Sequence, residues 1–281
     1  LVRIVVSKHG RVYDNELVEI LSIMQECYGR LTPHDVSLVE LHIFERSSSI
    51  EAFLKIESDE LGVTITPFTE SFFAMHDAWR GIPRIAICLE KIRTLPRPVR
   101  IGGIRHEVAH TVLHGGLEYY VIPTPPALLE IADQFNLSSE YTRNLLYLVS
   151  IAVKDYEVTR LLYNRGYVED QVEYVKFLLK ASEEDVTSWG LSRGKPLLEI
   201  LCLISSLKTV GCAAPLLNDV RFCKEIRQLL VESLSYLPIE LSATVLKFAE
   251  EEFPKLGMDT FENINSIICR CNLIFEAVFH K

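Results

Sequence analysis

The sequence predicts an α+β protein: a first half that mixes strands with helices around one buried motif helix, then an all-helical second half. Three observations predict it. Short β-branched runs and helical stripes alternate up to about residue 115. The proline-rich segment Ile122-Pro-Thr-Pro-Pro126 then interrupts the chain as a stiff linker. From Ala127 onward the pattern is almost wholly helical. The expected division is therefore residues 1–120, an α+β half with a mixed sheet, and residues 121–281, a helical half.

In chain order, Val2 to Val6 reads as a strand. Asn15 to Tyr28 carries Leu17, Ile20, Leu21, Ile23 and Met24 at helical spacing. Val36 to Phe44 is β-branched and apolar, hence a strand. Ser47-Ser-Ser49 offers N-caps for a helix that runs to about Leu61 and closes at Gly62. Val63–Thr66 and Phe72–Met75 are short strand candidates. Ile82 to Leu89 reads as a further strand, and Pro83 suits it to a sheet edge or a strand start. Pro96 and Pro98 break the chain ahead of a helix over Val99–His114, which Gly115-Gly116 ends. In the second half helices are expected near 127–135, 139–163, 168–181, 195–208, 216–234, 239–252 and 260–279, with Pro215, Pro238 and Pro254 in the breaks.

Composition excludes several classes. With 281 residues and 48% hydrophobic content, the chain can bury a sizeable core. A net charge of −9 argues against nucleic acid or an anionic membrane as the main partner. The basic residues are scattered, apart from Arg93, Arg97, Arg100 and Arg105. Seven cysteines, an odd number with no CxxC pair, argue against a disulfide framework and for a reduced, cytoplasmic setting. Cys269-Arg-Cys271 is read as core. No signal peptide is expected, and apolar runs such as Ile200–Leu207 read as interrupted or too short to span a bilayer.

One motif carries specific chemistry. Residues 106–110 read His-Glu-Val-Ala-His, within Ile-Arg-His-Glu-Val-Ala-His-Thr-Val-Leu-His-Gly-Gly. Histidines four apart lie one turn apart on one helix face, so both imidazoles can hold one zinc ion. Glu107 is then placed to polarise a metal-bound water. Ile104, Val108, Ala109, Val112 and Leu113 make the surrounding helix apolar, and buried ionisable groups are costly unless paired or bound to metal. His114 continues the face, but the helix rise puts it about 12 Å from His106, too far to share one ion. A histidine interacting with the helix C-terminus is the simpler reading of it.

At these residues the sequence resembles the zincin metallopeptidases. The resemblance covers the motif helix closely, and roughly residues 36–160 in element order. It implies a zincin-like first half, with an antiparallel edge strand before the active helix, for which Ile85–Leu89 is the expected segment. The subclass with a third histidine six residues after the second is excluded, because Gly116 stands there. The glutamate-type pattern remains, in which an acid on a later helix completes the site. Asp155 is the first candidate, because it shares a face with Leu148, Ile151, Ala152, Val158 and Leu162. Glu157 is the second, on a more solvated face with Val153, Lys154, Arg160, Leu161 and Asn164. Asp155 departs from the family's Glu-x-x-x-Asp pattern, and Glu118 and Glu130 are further acids to consider.

The function expected is a zinc-dependent hydrolase, first of all a metallopeptidase acting on a peptide or protein, with one zinc on His106, His110 and Asp155 (or Glu157) and with Glu107 as general base. Tyr156, Tyr163 and Tyr167 are considered as oxyanion donors, and none is assigned. The competing expectations are a zincin-fold protein without catalysis that binds peptides or partner proteins, and a hydrolase of non-peptide amides. The helical half would supply the third ligand and serve as a lid, a partner-binding unit or a cover.

Overall fold

A computed structural model describes residues 1–62, 73–180 and 183–279. They form two compact units: Leu1–Ile122 with Arg165–Tyr174, and Pro123–Asn164 with Val175–Lys281. The short return of Arg165–Tyr174 to the first unit differs from the simple split at the proline linker.

The first unit is α+β. It holds β1 (Arg3–His9), α1 (Asp14–Arg30), β2 (Leu38–Phe44), α2 (Ser47–Leu61), β3 (Ala74–Asp77), β4 (Arg84–Cys88), α3 (Leu89–Ile92) and the motif helix α4 (Arg97–His114). Among the described residues the sheet is four-stranded in the order β1-β2-β4-β3. The β1/β2 and β2/β4 pairs are parallel, while β3 runs antiparallel to β4. All of β4 is buried, as expected of a strand covered on both faces. The expectation of an edge strand at Ile85–Leu89 is therefore corrected. Pro83 precedes the strand and takes no donor from its ladder; its carbonyl accepts from the Glu40 amide at 3.0 Å. Among the described residues the antiparallel edge strand is β3. The strand expected at Val63–Thr66 lies outside the described residues, as does Phe72.

Helix α1 buries Ile20, Met24, Cys27 and Tyr28 at helical spacing. The Tyr28 hydroxyl donates to Thr111 Oγ1 at 2.7 Å, because Thr111 itself donates to the Val108 carbonyl at 2.8 Å. The arginine cluster is structural: Arg93 grips Glu16 at 2.6 and 2.9 Å, Arg97 meets Glu19 at 3.2 Å, and Arg105 meets Glu26 at 2.9 Å and Asp170 at 3.1 Å. The pairs with Glu16, Glu19 and Glu26 lace α1 to α4 and to the segment just before it. Helix α2 begins differently from expectation. Arg46 is the N-cap, and the Ser47 amide and hydroxyl both donate to Glu90 Oε2 at 2.8 and 2.9 Å, so an acid from α3 satisfies the helix start. Gly62 closes α2 with φ of 64°, the left-handed conformation that glycine adopts without penalty.

Strand β3 has two chemically different faces. Met75 packs against the apolar cluster of Phe44, Ile50, Leu54, Ala86 and Cys88. Asp77 shares its side and takes Arg84 Nη2 at 2.8 Å and Nε at 3.1 Å, while Arg84 Nη1 reaches Glu57 at 3.0 Å. His76, between them, points the other way, toward α4. Hydrogen bonds from Arg80, and then Arg84, hold the Glu57 carboxyl below its usual 4.5. Its contribution to stability is thus present above 4.5 and lost as pH falls through the lower folded-state value. Urea midpoints measured from pH 7 down to 3 should fall more steeply in this window for wild type than for Glu57→Gln; parallel profiles would refute the linkage.

Helix α4 starts at the Pro96 cap with Pro98 in its first turn, and ends at Gly115. Glycine at 102 is needed for close approach. A Cβ there would sit 2.4 Å from the Asp170 carbonyl oxygen, and Gln171 Nε2 donates to the Gly102 carbonyl at 3.0 Å. Alanine would gain about 1 kcal/mol of helix propensity. Overpacking against backbone costs about 1–3 kcal/mol, and here it meets a rigid carbonyl rather than a flexible side-chain end, so Gly102→Ala should destabilise. Thermal unfolding checks this: an unchanged or raised Tm would contradict it.

The second unit is helical: α5 (Pro126–Gln134), α6 (Ser139–Asn164), the end of α7 (Val168–Leu178), α8 (Glu183–Ser192), α9 (Pro196–Ala213), α10 (Cys223–Ser233), α11 (Ile239–Lys247) and α12 (Thr260–Phe279). Helices α6 and α9 approach closely at Gly211, where a Cβ would lie 2.6 Å from the Ala152 carbonyl. Helix α8 lies between the helices expected near 168–181 and 195–208, and its acidic start, Glu183-Glu-Asp185, reads from the sequence as a solvated helix end or face. The single helix expected over 216–234 is instead a 3₁₀ turn (Ala214–Asn218) followed by α10, with the break at Asp219. That carboxylate accepts from the Arg221 amide at 2.8 Å. Helix α9 with this turn, Pro196–Asn218, is long and apolar enough to cross a membrane by length and composition, contrary to the reading of Ile200–Leu207 as interrupted or too short. Of its most apolar window 61% is buried within the protein, as in a core helix.

Candidate metal centre

Helix α4 presents a buried row of polar groups: His106, Glu107, His110, Thr111 and His114 are each 5% exposed or less. The i, i+4 spacing stacks the three imidazoles along one face. His106 Nε2 lies 3.1 Å from His110 Nε2, with the two rings at 74°. An imidazole binds a metal in its ring plane, and two planes at a steep angle can both contain one ion. Two Zn–N bonds of 2.0–2.1 Å in tetrahedral geometry separate the nitrogens by about 3.3 Å. The pair therefore fits a zinc ion in spacing and in ring orientation.

The other nitrogen of His110 is also engaged. Its Nδ1 lies 3.2 Å from Nδ1 of His114, which is fully buried and meets the Tyr119 ring edge-on. The simple helix-terminus reading of His114 is therefore incomplete: it is placed to fix the tautomer and ring orientation of His110, as partners of metal-bound histidines do.

Strand β3 brings a histidine that sequence reasoning missed. His76 Nδ1 lies 2.7 Å from Glu107 Oε2, and its ring stacks on His110 with centroids 3.7 Å apart and planes 12° apart. Ligand atoms of His76, Glu107 and His110 lie within 4.8 Å of one another. No spacing rule links residue 76 to the motif; the only signal is a histidine beside a short strand candidate. Tyr120 was missed too. Its ring lies 6.3 Å from His76 and 5.3 Å from Trp79. Burial, with the Asp77 and Glu107 carboxylates nearby, pushes its phenol well above the usual range, so it stays protonated and can donate.

The two acids proposed as third ligand lie on α6, in the second unit, and each is 4% exposed. Glu157 has an evident structural role. Its Oε2 accepts from Thr260 Oγ1 at 2.8 Å and its Oε1 from Asn263 Nδ2 at 2.5 Å, joining α6 to α12. Its expected solvated face is thus corrected, because Thr260 and Asn263 cover it. Burial lowers the neighbouring Lys154 to about 8, against the opposing pull of Asp155 and Glu157. Glu118 and Glu130 are exposed. The tyrosines considered as oxyanion donors have other engagements. Tyr156 stacks with Phe253, the Tyr163 hydroxyl donates to Asp219 at 3.4 Å, and Tyr167 donates to Glu26 at 3.0 Å beneath Arg105. Among the described residues, the seven cysteines form no disulfide. No family model, curated protein or solved structure matches this chain.

Proposed function

We propose that this protein is a zinc-dependent hydrolase of the His-Glu-x-x-His class, a zincin-like metallopeptidase of the cytoplasm acting on peptide or protein substrates. The observation that carries the reading is the convergence of His106 Nε2 and His110 Nε2 at 3.1 Å, with Glu107 buried beside them. In this reading His106 and His110 hold the ion and Asp155 is the third ligand. Asp155 is preferred to Glu157 because the Glu157 carboxylate is bonded through both oxygens to Thr260 and Asn263. A zinc ion in such a site lowers the pKa of its bound water toward neutrality and polarises a carbonyl.

The chain's own groups divide the remaining work. His114 holds His110 in orientation. Glu107 accepts a proton and returns it to the leaving amine, a role that needs a carboxylate kept out of bulk water. Tyr120, protonated and close to His76, is a candidate donor to a developing oxyanion. Strand β3 pairs only with β4 among the described residues, so its second edge is the place for an extended peptide to add as a strand. Cysteines kept as thiols suit a reducing compartment. A second reading, a zincin-fold protein that binds peptides without cleaving them, is favoured by one observation: the Glu107 carboxylate already bonds to His76.

Metal analysis and hydrolysis of a peptide library by the purified protein test the proposal. One zinc per chain with cleavage supports it. One zinc without cleavage of any library member supports the binding reading. No zinc after gentle purification and zinc addition refutes both metal-dependent readings.

A further inference from the structure

The same cluster assigns a role to His76, and the inference rests on the hydrolase reading above. Two roles compete for this residue: a third nitrogen ligand, or a partner that holds Glu107. The ring geometry separates them. His76 and His110 are stacked, 12° from parallel with centroids 3.7 Å apart. An ion in the plane of one ring then lies well out of the plane of the other, so the two cannot share an ion in this arrangement. His106, at 74° to His110, meets the requirement that His76 fails. The Nδ1 of His76 is moreover committed to Glu107 Oε2 at 2.7 Å, in a pair whose side chains are 16% and 7% exposed. A carboxylate oxygen is the acceptor in such a contact, which makes Nδ1 the donor.

The register of β3 makes this placement firm. His76 pairs with Ile85, and its neighbour Asp77 pairs with Arg84, to which it is also bound through the buried ion pair. A slip of one residue would turn His76 away from α4. The side chain is thus wedged between Glu107, which it bonds, and His110, which it covers.

We propose that His76 is a positioning residue: it donates Nδ1–H to Glu107, fixes the orientation of the general base, and holds the His110 ring by stacking, without binding the metal. Two substitutions separate its two contacts. His76→Asn puts an amide nitrogen near the place of Nδ1 and keeps the donor without the stacked ring. His76→Phe keeps a stacked ring and loses the donor.

The experiment combines kinetics, metal content and nitrogen-15 NMR of histidine-labelled protein. His76→Phe should keep one zinc per chain and lose about 10–100-fold in kcat, as is usual for partners of this kind, with KM little changed. His76→Asn should recover most of that loss. In the zinc-free wild type, the His76 resonances, identified by their absence in both variants, should show a protonated Nδ1 that responds to Glu107→Gln. Loss of zinc from both variants would make His76 a ligand and overturn the proposal. So would a His76→Asn protein as impaired as His76→Phe, or an unprotonated Nδ1. If the wild type binds no zinc and cleaves nothing, the hydrolase reading fails, while the NMR measurement still decides whether His76 donates to Glu107.

Discussion

His110→Ala is expected to leave the protein with substoichiometric zinc and no measurable hydrolysis, whereas Glu107→Gln keeps the zinc and loses only the hydrolysis. The two residues are three apart on one helix and both are buried, so a merely structural role would not separate them. His110 is the hub of the cluster: one nitrogen faces His106 at 3.1 Å, the other faces His114 at 3.2 Å, and its ring carries His76 at 3.7 Å. On the proposed function alanine removes a metal donor, and it also leaves neighbouring imidazoles short of a partner, at about 1–3 kcal/mol for each buried group so exposed. A lowered Tm should therefore accompany the loss of metal. Glu107→Gln removes only the carboxylate's basicity; Gln can still accept from His76 through its carbonyl oxygen, so the fold should be nearly unaffected. Loss of a general base costs about 10²–10⁴-fold in rate. His114→Ala should fall between the two, weakening zinc about 10–100-fold by freeing the His110 ring. Zinc titration with peptide hydrolysis on the same preparations checks all three. A His110→Ala protein with full zinc would remove the motif pair from the site, and an active Glu107→Gln protein would remove the base.

What could be read from the chain follows from how local its cause is. The motif helix, its proline start and its glycine end depend on residues within a few positions, and α4 differs from the expectation by two residues at its start. The pairing of His106 with His110 follows from helix geometry alone. His76 was illegible because its place depends on β3 pairing antiparallel with β4, a long-range choice that no local pattern encodes. The edge was misplaced for a related reason. Pro83 signals a strand start as well as an edge, and the fully buried run of β4 reads as apolar in either position. The arginines before the motif looked like a charge cluster, yet their acidic partners, Glu16, Glu19 and Glu26, repeat along α1 and become visible as partners only when α1 and α4 are laid together. In the second unit, the break between the 3₁₀ turn and α10 was hidden because Asp219 acts through its side chain on the backbone two residues ahead.

Arg84→Ala is expected to destabilise the first unit by about 3–5 kcal/mol, the usual cost of removing one partner of a buried ion pair. The guanidinium is 4% exposed and lies between two carboxylates that are themselves buried, Asp77 and Glu57. The charges of those acids raise its pKa despite its burial. Glu57 keeps Arg80 at 2.7 Å, so the greater loss falls on Asp77. Arg84→Met tests whether charge or volume matters. It restores much of the apolar bulk against Phe53, whose ring the guanidinium faces at 5.0 Å, but leaves the Asp77 carboxylate buried without its guanidinium partner. It should therefore remain strongly destabilised, and adding Asp77→Asn should recover a large part of the loss by removing the stranded charge. The consequence extends to the site. Asp77 and His76 are consecutive on β3, and the Asp77–Arg84 pair pins the register that turns His76 toward Glu107. Urea unfolding at pH 7 measures the stability, and the His76 nitrogen-15 signal reports whether the strand still presents its imidazole to α4. If Arg84→Met and the double variant are equally unstable, packing rather than charge holds β3 in place.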